Sequence, residues 1–187
     1  MEAERASGTG VVWMTGLSAS GKSTLSSGLC DRLVNKFALE VTLIDGEHMR
    51  ERLPRAYGHS LEDREAVLRH IVDEADRILA LGQIAVVATI SHTRQMRAFA
   101  RQRLAPFLEV FLDCAAEHCA ARDRKGHYAR ARRGEYAVFI GVTHPYERWV
   151  STSDLPEFTF DTHAMTPTQC LDQLERQVSR AFRLTPR

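Results

Sequence analysis

The sequence lacks the segments that would carry the chain into a membrane or out of the cell. It has no run of about 18 apolar residues, which argues against a membrane-spanning helix. The first ten residues, MEAERASGTG, contain no apolar stretch, so we expect no secretory signal peptide. The four cysteines form no C-x-x-C pair, which favours free thiols over disulfides or a structural zinc site. We therefore predict a cytoplasmic protein with no membrane partner.

The sequence also lacks an excess of charge of either sign. Lys and Arg number 25 against 24 Asp and Glu, which leaves a formal net charge of +1. Such a balance provides no general attraction to nucleic acid or to a lipid surface. Any electrostatic function must therefore be local, and we predict no nucleic-acid partner.

Short apolar segments alternate with amphipathic ones along most of the chain. The predicted strands are 11–15, 41–45, 84–89, 107–113 and 158–162, and the predicted helices are 21–37, 61–81, 94–104 and 167–183. This alternation predicts an α/β fold with a parallel sheet covered by helices on both faces. We expect a single domain over 11–187 after a flexible lead-in over 1–10. The segment 122–150 breaks the pattern, because it is basic, then aromatic, with little periodicity; such a segment is a functional lid or a disordered loop.

The strongest motif lies in the stretch WMTGLSASGKSTL. Gly16 to Ser23 fits G-x-x-x-x-G-K-[ST], with a predicted strand before it and a predicted helix after it. Backbone amides in such a loop, at a helix N-terminus, surround a phosphate chain. Lys22 would reach the β- and γ-phosphates, and the Ser23 hydroxyl can bind Mg²⁺. The motif therefore predicts a nucleoside triphosphate site, most simply for ATP.

Charged residues follow the second predicted strand, in LIDGEHMR. The carboxyl ends of parallel strands line a ligand crevice, which would bring Asp45 and Glu47 close to the γ-phosphate. A carboxylate there can accept a proton from an acceptor hydroxyl or hold the metal, and Arg50 can bind an anion. The alternative is an Asp that caps a helix, followed by surface charges.

The arginines and lysine within 122–133 also have two interpretations. They can form a solvated loop or a nucleic-acid patch, or they can close over phosphates and exclude water. Since the chain contains a phosphate loop, we favour a lid. A nucleotide-dependent switch is a further alternative, but the guanine-reading N-K-x-D motif of a GTPase is absent.

Several segments occur together in the order typical of one family. They are WMTGLSASGKSTL, LIDGEHMR, SLEDREAVLRHI, ISHTRQMRAFAR, EVFLDC, RDRKGHYARAR, GEYAVFIGVTHPYE and FDT. Over about 11–162 the chain resembles the adenylylsulfate (APS) kinases. This resemblance implies a three-layer P-loop NTPase fold with a five-stranded, mainly parallel sheet and a basic lid over about 122–140. It also implies transfer of the γ-phosphate of ATP, with Mg²⁺, to the 3′-hydroxyl of APS, giving PAPS, usually by a homodimer.

The resemblance also assigns roles to individual residues. The ATP-binding set is Gly16, Leu17, Ser18, Ala19, Ser20, Gly21, Lys22, Ser23 and Thr24, with Arg122 from the lid. The catalytic set is Lys22, Asp45 and Glu47, and the metal ligands are Ser23 and Asp45. The acceptor-binding set is Arg50, His59, Arg64, Val67, Arg69, Ile90, Ser91, Lys125, Gly126 and Phe139. Phe139 would stack on the acceptor's adenine, and direct in-line transfer needs no phosphorylated intermediate at Ser91.

The departures from the family pattern cluster on the acceptor side. Glu47 replaces the family's aspartate, and His48 replaces its asparagine. His59 replaces an aromatic residue, Val67 replaces an asparagine, and His92 replaces a proline. A site that hydrogen-bonds one nucleotide discriminates through its buried polar groups, so a change from Asn to Val alters recognition. The alternative to APS kinase activity is therefore an APS-kinase-like enzyme that phosphorylates a different nucleotide derivative or anionic metabolite.

Overall fold

A computed structural model describes residues 8–186 of the chain. Its strands are β1 (Gly10–Thr15), β2 (Val41–Asp45), β3 (Ile84–Ala88), β4 (Phe107–Asp113) and β5 (Phe158–Asp161). Its helices are α1 (Lys22–Phe37), α2 (Gly46–Arg52), α3 (Leu61–Ala80), α4 (Arg94–Arg103), α5 (Ala116–Arg122), α6 (His127–Arg132) and α7 (Pro167–Ala181). A short 3-10 turn occupies Thr152–Asp154.

The five strands form one parallel sheet in the order β2-β3-β1-β4-β5. The central strand, β1, pairs on one side with β3, where Met14 lies opposite Ala88, and on the other with β4, where Thr15 lies opposite Phe111. All carboxyl ends therefore meet at one edge, where ligands of open α/β sheets bind. The predicted five-stranded α/β fold is confirmed.

Each face of the sheet has its own hydrophobic core. Side chains alternate along a strand, so Val12 and Met14 face α1 and α7, whereas Val11 and Trp13 face α3 and α4. All four of these residues are fully buried. The near-continuous apolar strands thus follow from a sheet that is covered on both sides.

The predicted element boundaries agree with the structure within one or two residues for five strands and four helices. Three short helices were not predicted, namely α2, α5 and α6, because six or seven residues are too few to show a 3.6-residue period. Helix α6 lies inside the segment that was expected to be irregular. None of the helices within residues 8–186 combines the length and hydropathy that a bilayer crossing requires.

The predicted flexible lead-in over 1–10 extends too far, because its last three residues, 8–10, belong to the folded structure. Residues 1–7 lie outside the described residues, and the backbone amide of Gly8 donates to the carbonyl of Phe182 at 3.0 Å. The hydroxyl of Thr9 donates to the carbonyl of Gln83 at 2.8 Å, and β1 begins at Gly10. The folded body therefore includes residues 8–10.

Two leucines allow a matched test of the core on the α1–α7 face. Leu174 is fully buried, whereas Leu155 is 53% exposed. Leu174→Ala should lower the free energy of unfolding by about 2–5 kcal/mol, because it removes buried methyl groups and leaves a cavity. Leu155→Ala should change that energy by less than about 0.5 kcal/mol. Urea unfolding followed by circular dichroism checks both values, and equal midpoints for the two variants would contradict the assigned packing.

Candidate active site

The phosphate loop connects β1 to α1 in a conformation that glycine allows. Gly16 has φ +150°, and a Cβ atom there would lie 2.7 Å from the carbonyl oxygen of Leu112. Gly21 has φ +103° and precedes the first residue of α1, and its position provides no capping side chain. The first amides of α1 are therefore free to bind an anion, which the helix dipole also favours.

Lys22 is the cation of this loop; the residue is partly exposed, but its ammonium lies inside the fold. Its Nζ donates to the carbonyl oxygens of Gly16 at 3.0 Å and Leu17 at 2.6 Å. Burial lowers the pKa of Lys22 from 10.5 to about 8, against opposing contributions from Cys119 and Asp45. A polyphosphate beside Lys22 would supply the negative charge that this desolvated ammonium lacks.

Ser23 and Asp45 bring two oxygen ligands together. The Ser23 hydroxyl donates to Asp45 Oδ2 at 3.0 Å, and Asp45 Oδ1 accepts the backbone amide of Glu47 at 2.9 Å. Asp45 is thus the N-cap of α2, as one interpretation of LIDGEHMR expected, and it also lines the second cavity, where the functional role remains a prediction. Hydroxyl and carboxylate oxygens fit Mg²⁺, which takes the rest of its shell from water and substrate phosphates.

Two cavities meet above the phosphate loop. The first has a volume of about 630 Å³ and lies between the loop, Thr162 and the start of α7. The second has a volume of about 610 Å³ and lies between the ends of β2 and β3, helix α3 and the segment after α5. Five residues line both cavities: Ala19, Lys22, Ser23, Arg122 and Arg124. A group bound in one cavity can therefore reach a group bound in the other beside Lys22.

The second cavity contains two adjacent arginines. Arg50 Nη1 donates to the carbonyl of Gly58, and Arg64 Nε donates to the carbonyl of His59 at 3.1 Å. Burial lowers the pKa of both guanidiniums, and the charge of Arg50 helps to lower that of Arg64 to about 10. Burial and these two cations also lower the pKa of His59. An anionic ligand would relieve this repulsion, so the cavity favours one.

An acid–base pair crosses the mouth of the second cavity. Lys125 Nζ lies 2.6 Å from Glu47 Oε1, and this hydrogen bond raises the pKa of Lys125. Both side chains are more than half exposed, so the pair contributes little stability. Glu47 can therefore exchange this contact for a substrate hydroxyl at small cost.

Aromatic rings also line the second cavity, which contains Phe139 and Tyr136. Phe139 packs edge-on against Tyr128, with ring centroids 4.9 Å apart, and nearly parallel to Tyr136 at 5.8 Å. The Tyr136 hydroxyl forms a 2.9 Å hydrogen bond with Nδ1 of His127. Such a wall is suited to a planar base, since stacked rings gain dispersion energy.

The family model described as adenylylsulphate kinase matches residues 8–155, most of the chain. The chain belongs to this family. It is 36% identical to an adenylyl-sulfate kinase of Bacillus licheniformis, over 90% of this chain and 84% of that protein. It is 38% identical to an adenylyl-sulfate kinase of Clostridium acetobutylicum, over 88% of this chain and 80% of that protein. Among solved structures, the APS kinase of Mycobacterium tuberculosis in complex with AMPPNP and APS has a TM-score of 0.77 and 33% sequence identity. The match covers 95% of this chain and 98% of that chain.

Most of the site residues predicted for this kinase line the cavities. The first cavity is lined by Ala19, Ser20, Gly21, Lys22, Ser23, Thr24 and Arg122. The second is lined by Ser18, Asp45, Glu47, Arg50, His59, Arg64, Val67, Ile90, Lys125 and Phe139. Gly16 and Leu17 line neither cavity: Gly16 shapes the turn, and Leu17 packs beside Cys119.

Three predicted acceptor-binding residues lie elsewhere in the kinase. Ser91 is fully buried; its hydroxyl accepts from Trp13 Nε1 at 2.9 Å and donates to Thr15 Oγ1 at 3.1 Å. Arg69 is exposed and places its guanidinium 5.1 Å from the ring centre of Phe99, since it lies on another side of α3 from Arg64. Gly126, at φ +70°, is the N-cap of α6. None of the three lines the second cavity: Ser91 bonds within the core, Arg69 packs on Phe99, and Gly126 starts a helix. Their acceptor-binding roles stay predictions.

Sequence reasoning missed several residues that line the cavities. Arg124, Tyr136 and His127 line the second one, and Thr162 and Met165 line the first. Arg124 was expected only as one of the basic residues of the lid. The recognised segments RDRKGHYARAR, GEYAVFIGVTHPYE and FDT contain His127, Tyr136 and Thr162, so these motifs were usable signals. Met165 had none, because nothing in its spacing says that its side chain reaches the cavity.

The pKa of Lys22 leads to a prediction for nucleotide binding. The affinity for Mg²⁺-AMPPNP should be constant below about pH 8 and fall above it, by up to roughly tenfold per pH unit, because the free lysine loses its charge there. Calorimetric titrations at several pH values check this. Lys22→Arg, which stays charged throughout, should bind more weakly but lose the pH dependence. A wild-type affinity that is constant to pH 9.5 would contradict the assignment.

Proposed function

We propose that this kinase transfers the γ-phosphate of ATP to the 3′-hydroxyl of APS, producing PAPS and ADP. The observation that carries the proposal is the meeting of two cavities beside Lys22 and Ser23. One cavity adjoins a phosphate loop, and the other combines two desolvated arginines with an aromatic wall. An adenine nucleotide bearing an acidic anhydride matches the second cavity in both respects.

On the ATP side, the loop amides and Lys22 bind the β- and γ-phosphates. Ser23 and Asp45 would hold Mg²⁺, which supplies charge neutralisation between those phosphates when it is bound. The Lys22 ammonium also neutralises the charge that develops on the bridging oxygen as ADP leaves. Within the loop, the Ser20 amide donates to the Leu17 carbonyl at 3.2 Å, and the Thr162 hydroxyl donates to the Ser20 carbonyl at 3.0 Å.

On the acceptor side, some residues bind the acceptor and others take part in the chemistry. Arg50 and Arg64 bind the acidic part of the acceptor, and Phe139 stacks on its base. Glu47 releases Lys125, orients the acceptor hydroxyl and accepts its proton as the new phosphorus–oxygen bond forms. Residues 122–140 act as the lid that excludes water, so that the phosphoryl group reaches the hydroxyl.

A second candidate acceptor is another anionic nucleotide derivative. Two residues that differ from the family pattern favour this alternative. Val67 and His59 both line the second cavity, and Val67 is only 3% exposed. Val67 offers no hydrogen bond where the family pattern has an amide. A competing acceptor would need fewer polar contacts near α3 than APS has.

The proposal extends to the surroundings of the enzyme. We take it to be a cytoplasmic homodimer that requires Mg²⁺ and has neither a nucleic-acid nor a membrane partner. The net charge of +1 supports the last point. Sedimentation of the purified protein tests the dimer, and an oligonucleotide titration at low salt tests nucleic-acid binding.

A direct assay tests the acceptor. Purified enzyme with Mg²⁺-ATP should release ADP and form PAPS only when APS is present, because the lid keeps water from the γ-phosphate. Chromatographic separation of the nucleotides checks both products. ADP release with a different nucleotide but none with APS would overturn the proposed acceptor and support the alternative.

Glu47→Gln tests the assigned base. This variant keeps the shape of the side chain but cannot accept the proton, so kcat should fall by about 10²–10⁴-fold while the KM for APS stays within a few-fold. Steady-state kinetics with APS provide both constants. Glu62→Gln, at an exposed position that lines neither cavity, is the control and should match the wild type. An unchanged kcat in Glu47→Gln would remove Glu47 from catalysis.

A further inference from the structure

The junction of the two cavities is unusually rich in cations. Of the five residues that line both cavities, three are the cations Lys22, Arg122 and Arg124. The γ-phosphoryl group must pass through this junction if ATP occupies the first cavity and the acceptor the second. These three side chains are therefore the ones closest to the path of transfer.

Two of these three cations already have partners. Lys22 donates to the carbonyls of Gly16 and Leu17. Arg122 Nη2 donates to the carbonyl of Thr162 at 2.8 Å, and its Nη1 lies 4.0 Å from Cys114 Sγ. The neighbouring Lys125 is bonded to Glu47.

Arg124 differs from these residues. Across residues 8–186, no hydrogen bond or ion pair involves its guanidinium, although Asp123 and Glu47 line the same cavity. Its backbone is held between Arg122, at the end of α5, and Lys125, whose amide donates to Asp123 Oδ1 at 3.1 Å. The chain thus positions the residue, while its charged group stays available for a ligand.

We propose that Arg124 is a catalytic residue that contacts the phosphoryl group during transfer. In that step the bond between the γ-phosphorus and the bridging oxygen of ADP breaks, and a bond to the acceptor oxygen forms. The acceptor's proton moves to Glu47, and Arg124 keeps its own proton throughout. Negative charge is spread over the three equatorial oxygens of the phosphoryl group, and a planar guanidinium can donate to two of them at once.

This inference rests on the proposed phosphoryl transfer but not on the identity of the acceptor. Arg122 serves the ATP side, because its Nη2 donates to the carbonyl of Thr162, which lines only the first cavity. Arg50 and Arg64 serve the acceptor's anion, because they line only the second. Lys22 is tied to the phosphate loop through the carbonyls of Gly16 and Leu17. Arg124 is therefore left as the cation that can follow the group between the two cavities.

Kinetics of Arg124 variants test the proposal. Arg124→Ala should lower kcat by about 100-fold or more, while the KM values for ATP and acceptor stay within about threefold, because the contact forms in the transition state. Arg124→Lys should recover only part of the rate, since an ammonium lacks the two-pronged geometry. Added guanidinium ion should partly rescue Arg124→Ala. Arg176→Ala is the matched control, since Arg176 is an exposed arginine of α7, outside the lid, that lines neither cavity.

A binding measurement separates this proposal from the choice of acceptor. Aluminium fluoride with Mg²⁺-ADP mimics the transferring phosphoryl group, and the wild type should bind ADP more tightly when fluoride and aluminium are present. Arg124→Ala should lose that gain while binding ADP alone as the wild type does. If APS is not phosphorylated but the gain still depends on Arg124, the proposed acceptor is wrong and the role of Arg124 stands. An unchanged kcat, a rise in KM alone, or an equal gain in the variant would overturn it.

Discussion

The buried ammonium of Lys22 is the interaction on which the rest of the site depends. Two loop carbonyls hold it at the carboxyl end of the central strand, where burial has already lowered its pKa to about 8. A cation in this state is strongly favoured to bind a polyphosphate, since the ligand replaces the solvation that folding removed. The glycines of the loop, the start of α1 and the position of Asp45 all serve this one electrostatic arrangement.

A buried network of charged side chains packs behind β3, beneath the segment that contains Ser91. Arg97 and Glu109 form a buried ion pair at 3.3 Å, and Arg97 also donates to the carbonyls of Ser91 and Glu147. The guanidinium lies 4.4 Å from the ring centre of Trp149. This network ties the segment after β3 to the chain around Glu147. A buried pair of this kind is costly to break, because the remaining charge would be left without a partner.

The acceptor cavity shows how charge and shape divide recognition. Arg50 and Arg64 repel each other and attract an anion, whereas Phe139 and Tyr136 present flat apolar surfaces. Neither feature by itself is suited to a nucleotide with an acidic anhydride, but the two together favour a ligand that has both an anionic group and a planar base. Val67 and His59 line the same cavity, so we propose that they set the finer preference.

The local motifs were readable from the sequence because their chemistry is carried by neighbouring residues. Gly16 to Ser23 determined a phosphate loop, apolar strands determined a sheet covered on both faces, and LIDGEHMR placed Asp45 and Glu47 at its edge. Only the tertiary structure decided which side chains line the two cavities. Ser91 points into the core and Arg69 towards Phe99, whereas Arg124 and Tyr136 reach the cavities. The physical reason is that a side chain's direction depends on the packing of distant segments, which spacing along the chain does not encode.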